Sequence, residues 1–287
     1  MEATWGTSSE VGVLRDVLVG PPDHFRWLPT SSISRATLAS GAVFDHELAL
    51  RQHAEMVDAY RSAGVRVHVL EPDPALPYQV FARDSSVMTP WGAIVTQMAQ
   101  WWRRGEYAPV IRFYQGNGIP IYRMVTAGSF EGGDFDVVEP GCVVIGYSGE
   151  RTQEQAARQV ASWLQGEGWE VRLQPIAEHY VHLDLLLCML APKLAAVCVD
   201  AIDEDLLAWL EGKGIEIVPV SYRDTMRLGC NVVALGEDRV LSSAASKDLN
   251  ARLRALGFTV YDPDLSMFTL GGGGPHCLCQ PLRRDPA

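Results

Sequence analysis

The chain has 287 residues, of which 47% are hydrophobic and 21% are charged. These fractions are close to the globular average and exclude a largely disordered or low-complexity chain. Acidic residues number 35 against 24 lysines and arginines, a net charge of −11, and no basic run is longer than two residues. This charge pattern argues against a nucleic-acid-binding protein.

The ends and the cysteines predict a cytoplasmic protein. The first twelve residues have neither a basic start nor an apolar stretch, so no secretory signal is expected. The longest apolar stretch, 180–201, contains His182, Asp184 and Lys193, which indicates buried core and no association with a membrane. Six cysteines show neither CxxC nor zinc spacing, so we expect reduced thiols and no metal.

Taken in chain order, the predicted elements form a unit that occurs five times. In each copy a β-rich run precedes a helical pattern, and a glycine suited to the C′ position of a helix then opens another strand. The β-rich runs cover 14–20, 93–98, 142–147, 195–200 and 239–244. The predicted helices cover 43–63, 105–116, 151–167, 202–213 and 246–256. The glycines are Gly64, Gly118, Gly168, Gly214 and Gly257.

Four copies also have an earlier strand and a turn before the β-rich run, and the C-terminal run 277–282 can supply the strand missing from the first copy. A repeat of this length is typical of solenoids and of closed propellers. Neither end has the polar capping repeat of a solenoid, and a closed ring removes exposed strand edges. The sequence therefore predicts one α/β domain over 1–287, a five-bladed propeller of pseudo-fivefold ββαβ units.

A polar cluster stands at the start of the opening strand in each copy. The corresponding positions are Asp84, Asp134, Asp184, Asn231 and Cys277, with Glu131, His182 and His276 close to them in sequence. Equivalent positions in a closed ring face the same axis, so a thiol, imidazoles and several carboxylates are expected to meet in one pocket. Burying so many carboxylates is costly unless a cation lies among them.

Each of these residues also has a structural interpretation when taken alone. An aspartate at a strand start is usually a turn or cap residue, and a histidine beside an apolar run is usually a buried, hydrogen-bonded one. Cys277 and Cys279 could be small core residues. The run Gly271–Gly274 could be a flexible loop, and it lacks the lysine of a phosphate-binding loop. The shared position in the repeat favours a site.

The chemistry of the cluster indicates a cationic substrate. A cysteine with a histidine forms a nucleophile and an acid–base partner. The surrounding carboxylates argue against acyl transfer, because a developing oxyanion needs hydrogen-bond donors. Carboxylates suit a planar guanidinium, which they bind through two parallel hydrogen bonds. Attack by the thiolate on the guanidinium carbon, followed by loss of an amine, would leave an amidino-cysteine.

The motifs FARDSSV, FEGGDF, HLDLLL, CNVVALG and GGGGPHCLCQPL resemble those of the guanidino-group-modifying enzymes of the pentein superfamily. That superfamily includes arginine deiminase, dimethylarginine dimethylaminohydrolase, agmatine deiminase and the amidinotransferases, on a fivefold ββαβ propeller. The resemblance implies that Cys277 is the nucleophile, His182 the general acid and base, and Glu131 the support of the histidine. It implies substrate-binding roles for Asp84, Asp184, Asp134, Arg104 and Arg151, the two arginines holding a substrate carboxylate.

The resemblance leaves the substrate open. His276 before the nucleophile is the agmatine deiminase pattern, whereas Glu131-Gly-Gly-Asp134 is that of arginine and methylarginine enzymes. We predict a cysteine hydrolase, without cofactor, that converts arginine or an N-methylated arginine to citrulline and ammonia or a methylamine. An amidinotransferase, an agmatine deiminase-like enzyme and a catalytically idle binding protein are the alternatives. Arg104 and Arg151 could instead be surface arginines, Cys279 could be a second reactive thiol, and homo-oligomerisation is undecided.

Overall fold

The computed structural model describes residues 5–287, which form five three-stranded sheets of the same design. In each sheet the central strand pairs antiparallel with the strand on one side and parallel with the strand on the other. The central strands are β1 (Leu14–Val19), β4 (Gly92–Val95), β7 (Cys142–Tyr147), β10 (Leu194–Cys198) and β13 (Arg239–Leu241). Their antiparallel partners are β15 (Cys279–Arg284), β3 (Ser86–Thr89), β6 (Phe135–Glu139), β9 (Leu187–Ala191) and β12 (Val233–Gly236). Their parallel partners are β2 (Arg66–Val69), β5 (Ile121–Met124), β8 (Glu170–Pro175), β11 (Glu216–Val220) and β14 (Thr259–Tyr261).

One helix in each blade connects the central strand to its parallel neighbour. These helices are α2 (His46–Ser62), α3 (Tyr107–Gly116), α4 (Glu154–Gly166), α5 (Glu204–Gly212) and α7 (Lys247–Ala255). The additional helices are α1 (Ser32–Ala39), α6 (Tyr222–Thr225) and α8 (Ser266–Thr269). Three 3₁₀ helices cover Trp101–Glu106, Gly132–Asp134 and Leu183–Leu185. No helix within residues 5–287 is long and apolar enough to cross a membrane.

The predicted helix ends are confirmed. The five glycines that were expected at the C′ position, Gly64, Gly118, Gly168, Gly214 and Gly257, have φ angles between 66° and 94°. A residue with a side chain is strained in this left-handed region, so glycine ends each helix and releases the chain into the next strand. The sequence did not predict α1, which begins with a capping box between Ser31 and Ser34.

The ring closes as predicted, because β15 at the C-terminus pairs antiparallel with β1 near the N-terminus. The antiparallel partner strands lie on the inside: β15 contacts β3, β6 contacts β9, and β9 contacts β12. Their N-terminal ends therefore meet near the axis. Apolar packing lies farther out, between the sheets and their helices; for example, Val160 and Leu164 of α4 pack with Val143 and Ile145 of β7.

Candidate active site

The polar residues that begin the inner strands meet near the axis, as the repeat predicted. Cys277, His182, Asp84, Arg103 and Arg151 line a pocket of about 20 Å³, called here the inner pocket. The remaining lining includes Thr30 and Ser31 from the segment before α1 and Gly271–Gly273 from the glycine run. The glycine run packs closely here, since a Cβ on Gly273 would come within 2.2 Å of the Phe81 ring.

The Cys277 thiol lies between a carboxylate and an amide. Its sulfur donates to Oδ2 of Asp184 at 3.3 Å and accepts from Nδ2 of Asn231 at 3.2 Å. Burial raises the pKa of Cys277 well above its usual value, and the charges of Asp184 and Asp84 raise it further. The thiol is therefore protonated at neutral pH.

His182 is held as an imidazolium by two carboxylates. Its Nε2 donates to Oε2 of Glu131 at 2.8 Å, and its Nδ1 lies 3.6 Å from Oδ1 of Asp84. Burial by itself lowers the pKa of His182, but Asp84 and the hydrogen bond to Glu131 raise it to about 9. For Glu131 burial acts in the opposite direction and raises the pKa, but the positive charges of Arg151 and His182 outweigh it and hold the pKa of Glu131 well below its usual value. The pair is ionised at neutral pH.

Asp84 and Asp184 are each fixed by a hydrogen bond through Oδ2, whereas Oδ1 of Asp84 faces the His182 imidazolium at 3.6 Å without a hydrogen bond. Oδ2 of Asp84 accepts from Arg103 at 2.8 Å, and Oδ2 of Asp184 accepts from Nδ1 of His276 at 2.9 Å. The two Oδ1 atoms are buried without a hydrogen-bond partner in residues 5–287. A buried, unpaired carboxylate oxygen is costly, so this geometry favours a ligand with N–H donors.

The structure corrects the prediction for Arg104. Its side chain is exposed and does not line the inner pocket, whereas the neighbouring Arg103 is buried there. Arg103 donates to both oxygens of Glu106 at 2.8 Å and to Asp84. Both arginines belong to the 3₁₀ helix Trp101–Glu106, in which positions three apart lie on one face. The three-residue spacing between Arg103 and Glu106 is therefore the sequence feature that could have identified Arg103 as the arginine pointing into the site.

Arg151, the other arginine predicted to bind substrate, is buried and lines the inner pocket. It donates to Oε2 of Glu131 at 3.1 Å and to the carbonyl oxygen of Thr30 at 3.0 Å. Arg151 also lines a neighbouring cavity of about 470 Å³, called here the outer cavity, together with Arg35 of α1 and His179. Both cavities share Thr30 and Ser31, so Arg151 stands at the boundary between them.

Asp134 lies behind the histidine and does not line the inner pocket. Its Oδ1 accepts from the backbone N–H of Leu183 at 2.8 Å, which fixes the residue after His182. Burial raises the pKa of Asp134 to about 6. The glycine before it is required, because a Cβ on Gly133 would come within 2.5 Å of Nδ1 of His182. Asp134, which was predicted to bind substrate, therefore lies outside the inner pocket and contacts the segment that carries His182.

Four residues of the site had no predicted role: Arg103, Glu106, Asn231 and His276. The last two stood in the polar clusters, but only the fold shows that they contact Cys277 and Asp184. Glu106 is fully buried, which raises its pKa to about 7 although Arg103 opposes the shift.

Asp84, Glu131 and His182 offer ligand atoms within 4.8 Å of one another, a spacing that could hold a metal ion. A metal would need a neutral imidazole nitrogen, whereas the pKa of His182 is raised to about 9 and its Nε2 is bonded to Glu131. At neutral pH both ring nitrogens of His182 therefore carry a proton, a state that does not suit metal binding.

Residues 32–284 match the family model of eukaryotic N,N-dimethylarginine dimethylhydrolase. The protein YkgA of Bacillus subtilis is 28% identical over 96% of this chain and 94% of its own length. The N(G),N(G)-dimethylarginine dimethylaminohydrolase of Pseudomonas aeruginosa is 27% identical over 82% of this chain and 88% of its own. The N-terminal domain of ArgZ, a cyanobacterial arginine dihydrolase solved with bound substrate, has a TM-score of 0.82 at 21% identity, covering 94% of this chain and 98% of that domain.

The family match extends over most of the described chain, and the structural match confirms the predicted pentein propeller. The prediction of an amidine hydrolase is confirmed as well. The chain belongs to the N,N-dimethylarginine dimethylhydrolase family and is an amidine-hydrolysing enzyme of the dimethylarginine dimethylaminohydrolase and arginine deiminase type.

Proposed function

We propose that the protein hydrolyses the unsubstituted guanidinium of free arginine, giving citrulline and ammonia, with Cys277 as nucleophile. The observation that carries the proposal is a pair of buried carboxylate oxygens that accept no hydrogen bond within residues 5–287, Oδ1 of Asp84 and Oδ1 of Asp184. Both carboxylates act on the Cys277 thiol. A guanidinium that donates one N–H to each oxygen brings its central carbon toward the sulfur.

The charge of the site supports a cationic substrate. Its five buried carboxyl groups are Asp84, Glu106, Glu131, Asp134 and Asp184, and its three cations are Arg103, Arg151 and protonated His182. The pKa of Glu106 is raised to about 7 and that of Asp134 to about 6, chiefly because burial disfavours their charged forms. A bound guanidinium offsets this excess of carboxylate.

The substrate itself activates the nucleophile in the proposed mechanism. Asp184 and Asp84 raise the pKa of Cys277, and a guanidinium between them removes much of that effect, so the thiol releases its proton to solvent as the substrate binds. The thiolate adds to the guanidinium carbon. The His182 imidazolium then protonates the departing nitrogen, and ammonia leaves an amidino-cysteine.

Hydrolysis of this intermediate returns the enzyme to its starting state. His182, now neutral, takes a proton from water, and the hydroxide adds to the amidino carbon. The carbon–sulfur bond then breaks, and the Cys277 thiolate takes the hydroxyl proton of the adduct as the neutral ureido product leaves. Glu131 keeps the imidazole oriented through both steps by its 2.8 Å hydrogen bond to Nε2.

Methylation at the reacting nitrogen is expected to lower activity. Oδ1 of Asp184 lies in the carboxyl group that contacts the sulfur, and it needs an N–H donor. A dimethylated nitrogen has none, and a lost hydrogen bond to a charged group costs about 1.5–3 kcal/mol. We expect kcat/KM for arginine to exceed that for N,N-dimethylarginine by about tenfold or more.

The measurement is kcat/KM in buffer without any acceptor amine, with ureido product and released amine both quantified. Monomethylarginine should be intermediate, because its substituted nitrogen keeps one N–H. Equal or better use of dimethylarginine contradicts the unsubstituted-guanidinium proposal. A ureido product that forms only after an amine is added contradicts hydrolysis and favours the amidinotransferase alternative.

Arg151 and Arg35 are the cations available for the far end of the substrate. Two of the five N–H donors of Arg151 are used within the described residues, whereas Arg103 is held by Glu106, Asp84 and backbone carbonyls. Arg35 lines the outer cavity beside Arg151. We propose that a substrate α-carboxylate binds to Arg151 and points toward the outer cavity.

Arg151→Ala is therefore expected to lower kcat/KM for arginine about tenfold more than kcat/KM for agmatine, which has no carboxylate. The ratio is the informative quantity, since loss of the Arg151–Glu131 contact affects both substrates. Arg104→Ala is the matched control, because this neighbouring arginine is exposed, and its ratio should be unchanged. An unchanged ratio in Arg151→Ala, or a wild type that prefers agmatine, contradicts carboxylate binding at Arg151.

A further inference from the structure

We propose that Asn231 is a catalytic residue whose side-chain amide stabilises the Cys277 thiolate. The inference deepens the proposed function and rests on Cys277 being its nucleophile. Nδ2 of Asn231 lies 3.2 Å from the sulfur and donates to it. Without such a donor, the thiolate would form next to the Asp184 carboxylate, 3.3 Å away, with no side-chain hydrogen bond to offset the repulsion.

The orientation of the Asn231 amide follows from its other contacts. Its Oδ1 accepts from the backbone N–H of His276 at 3.0 Å and from that of Cys277 at 3.4 Å. Only an oxygen can accept from these two donors, so the NH₂ group must face the other way. There it meets the Cys277 sulfur and, at 3.3 Å, the carbonyl oxygen of Asp184.

Packing holds the amide in this orientation. Asn231 is 0% exposed. Gly274 lies directly against it, since a Cβ at that position would come within 2.6 Å of Oδ1. The amide is therefore fixed before the substrate binds. A preorganised N–H donor aimed at an atom that gains negative charge stabilises the charged form without further rearrangement.

The decisive variant is Asn231→Asp, which keeps the shape and the oxygen that accepts the two backbone N–H groups. It replaces the N–H donor by a carboxylate oxygen beside the sulfur. The pKa of the Cys277 thiol is then expected to rise by at least about one unit, the equivalent of one charged hydrogen bond. Turnover near neutral pH should fall by about tenfold or more and recover partly as the pH is raised.

The thiol pKa is measured without substrate, from the rate of Cys277 alkylation by iodoacetamide across a pH series, read by mass spectrometry of the Cys277 peptide. The ultraviolet absorbance of the thiolate, with Cys277→Ala subtracted, gives the same quantity independently. Asn250→Asp is the matched control: Asn250 is also buried and donates to Ser243 and Asp262, but it belongs to α7 outside the site. The pKa of the Cys277 thiol in Asn250→Asp should equal that in the wild type.

A Cys277 pKa in Asn231→Asp within a few tenths of a unit of wild type, or an equal rise in Asn250→Asp, overturns the proposal. If Asn231→Asp does not fold, Asn231→Ser removes the amide while leaving a hydroxyl to accept a backbone N–H, and the same rise is expected. A different result would contradict the proposed function itself, namely full turnover by the Cys277→Ala variant. The two failures are thus distinguishable.

Discussion

Replacing Cys277 with serine is expected to lower kcat by a factor on the order of 10³ or more while leaving the fold intact. A hydroxyl is a far weaker nucleophile than a thiol, and His182, which is already protonated, cannot take its proton. The nearly isosteric side chain keeps the hydrogen bonds to Asn231 and Asp184. The measurement is single-turnover and steady-state formation of ureido product from arginine.

Cys279→Ser is the matched control for this result. Cys279 is two residues farther along the chain and fully buried, but its sulfur contacts the His276 carbonyl at 3.7 Å and does not line the inner pocket. Its activity should stay close to wild type. Full activity of Cys277→Ser, or loss of activity only in Cys279→Ser, would place the nucleophile elsewhere.

Replacing His182 with glutamine is expected to lower kcat by about 10²–10⁴-fold, with a smaller effect on substrate binding. The glutamine amide can still donate to Glu131 as Nε2 does, but it cannot pass a proton to the leaving nitrogen or take one from water. If protonation of the leaving group limits the reaction, no amidino adduct accumulates on Cys277. If hydrolysis limits it, mass spectrometry of the quenched protein shows that adduct.

His53→Gln serves as the control for His182→Gln. His53 is buried and hydrogen-bonded to the Gly20 carbonyl, outside the inner pocket, and burial lowers its pKa to about 4. This substitution should leave kcat unchanged. A His182→Gln enzyme with wild-type kcat, or an adduct on a residue other than Cys277, is incompatible with the proposed roles.

The raised pKa of His182 also predicts the alkaline limit of the enzyme. The imidazolium is the acid that protonates the leaving group, so kcat/KM for arginine should fall as the pH rises through about 9. The same ion pair contributes stability that is fully present below the unfolded pKa of 6.5 and is lost as the pH rises through about 9. Melting temperatures of wild type and His182→Gln should therefore converge at high pH.

Much of the fold could be predicted because the repeat is carried by local signals. Glycines with positive φ end the five long helices, and alternating strands and turns flank them. Such features depend on residues only a few positions apart in the chain, so they can be predicted from the sequence. The closure of the ring by the C-terminal strand followed from counting strands, since one copy had a strand too few.

The contacts within the site depended on tertiary structure. The sequence predicted Arg104 at the site in place of its neighbour Arg103. Which of the two arginines points inward depends on the 3₁₀ helix Trp101–Glu106, in which Arg103 forms ion pairs with Glu106 and with Asp84. The pocket wall at Thr30 comes from a segment outside the repeat, whose carbonyl oxygen binds Arg151.

The sequence by itself determined which residue types occupy the axis: one thiol, several carboxylates, an asparagine and two histidines at corresponding positions of the repeat. Only the tertiary structure decided how they are paired. The thiol of Cys277 meets Asn231 and Asp184, which lie 46 and 93 residues away in the chain, and His276 fixes Asp184 from 92 residues away. Hydrogen bonds form or fail over tenths of an ångström, and those distances are set by how the blades pack around the axis.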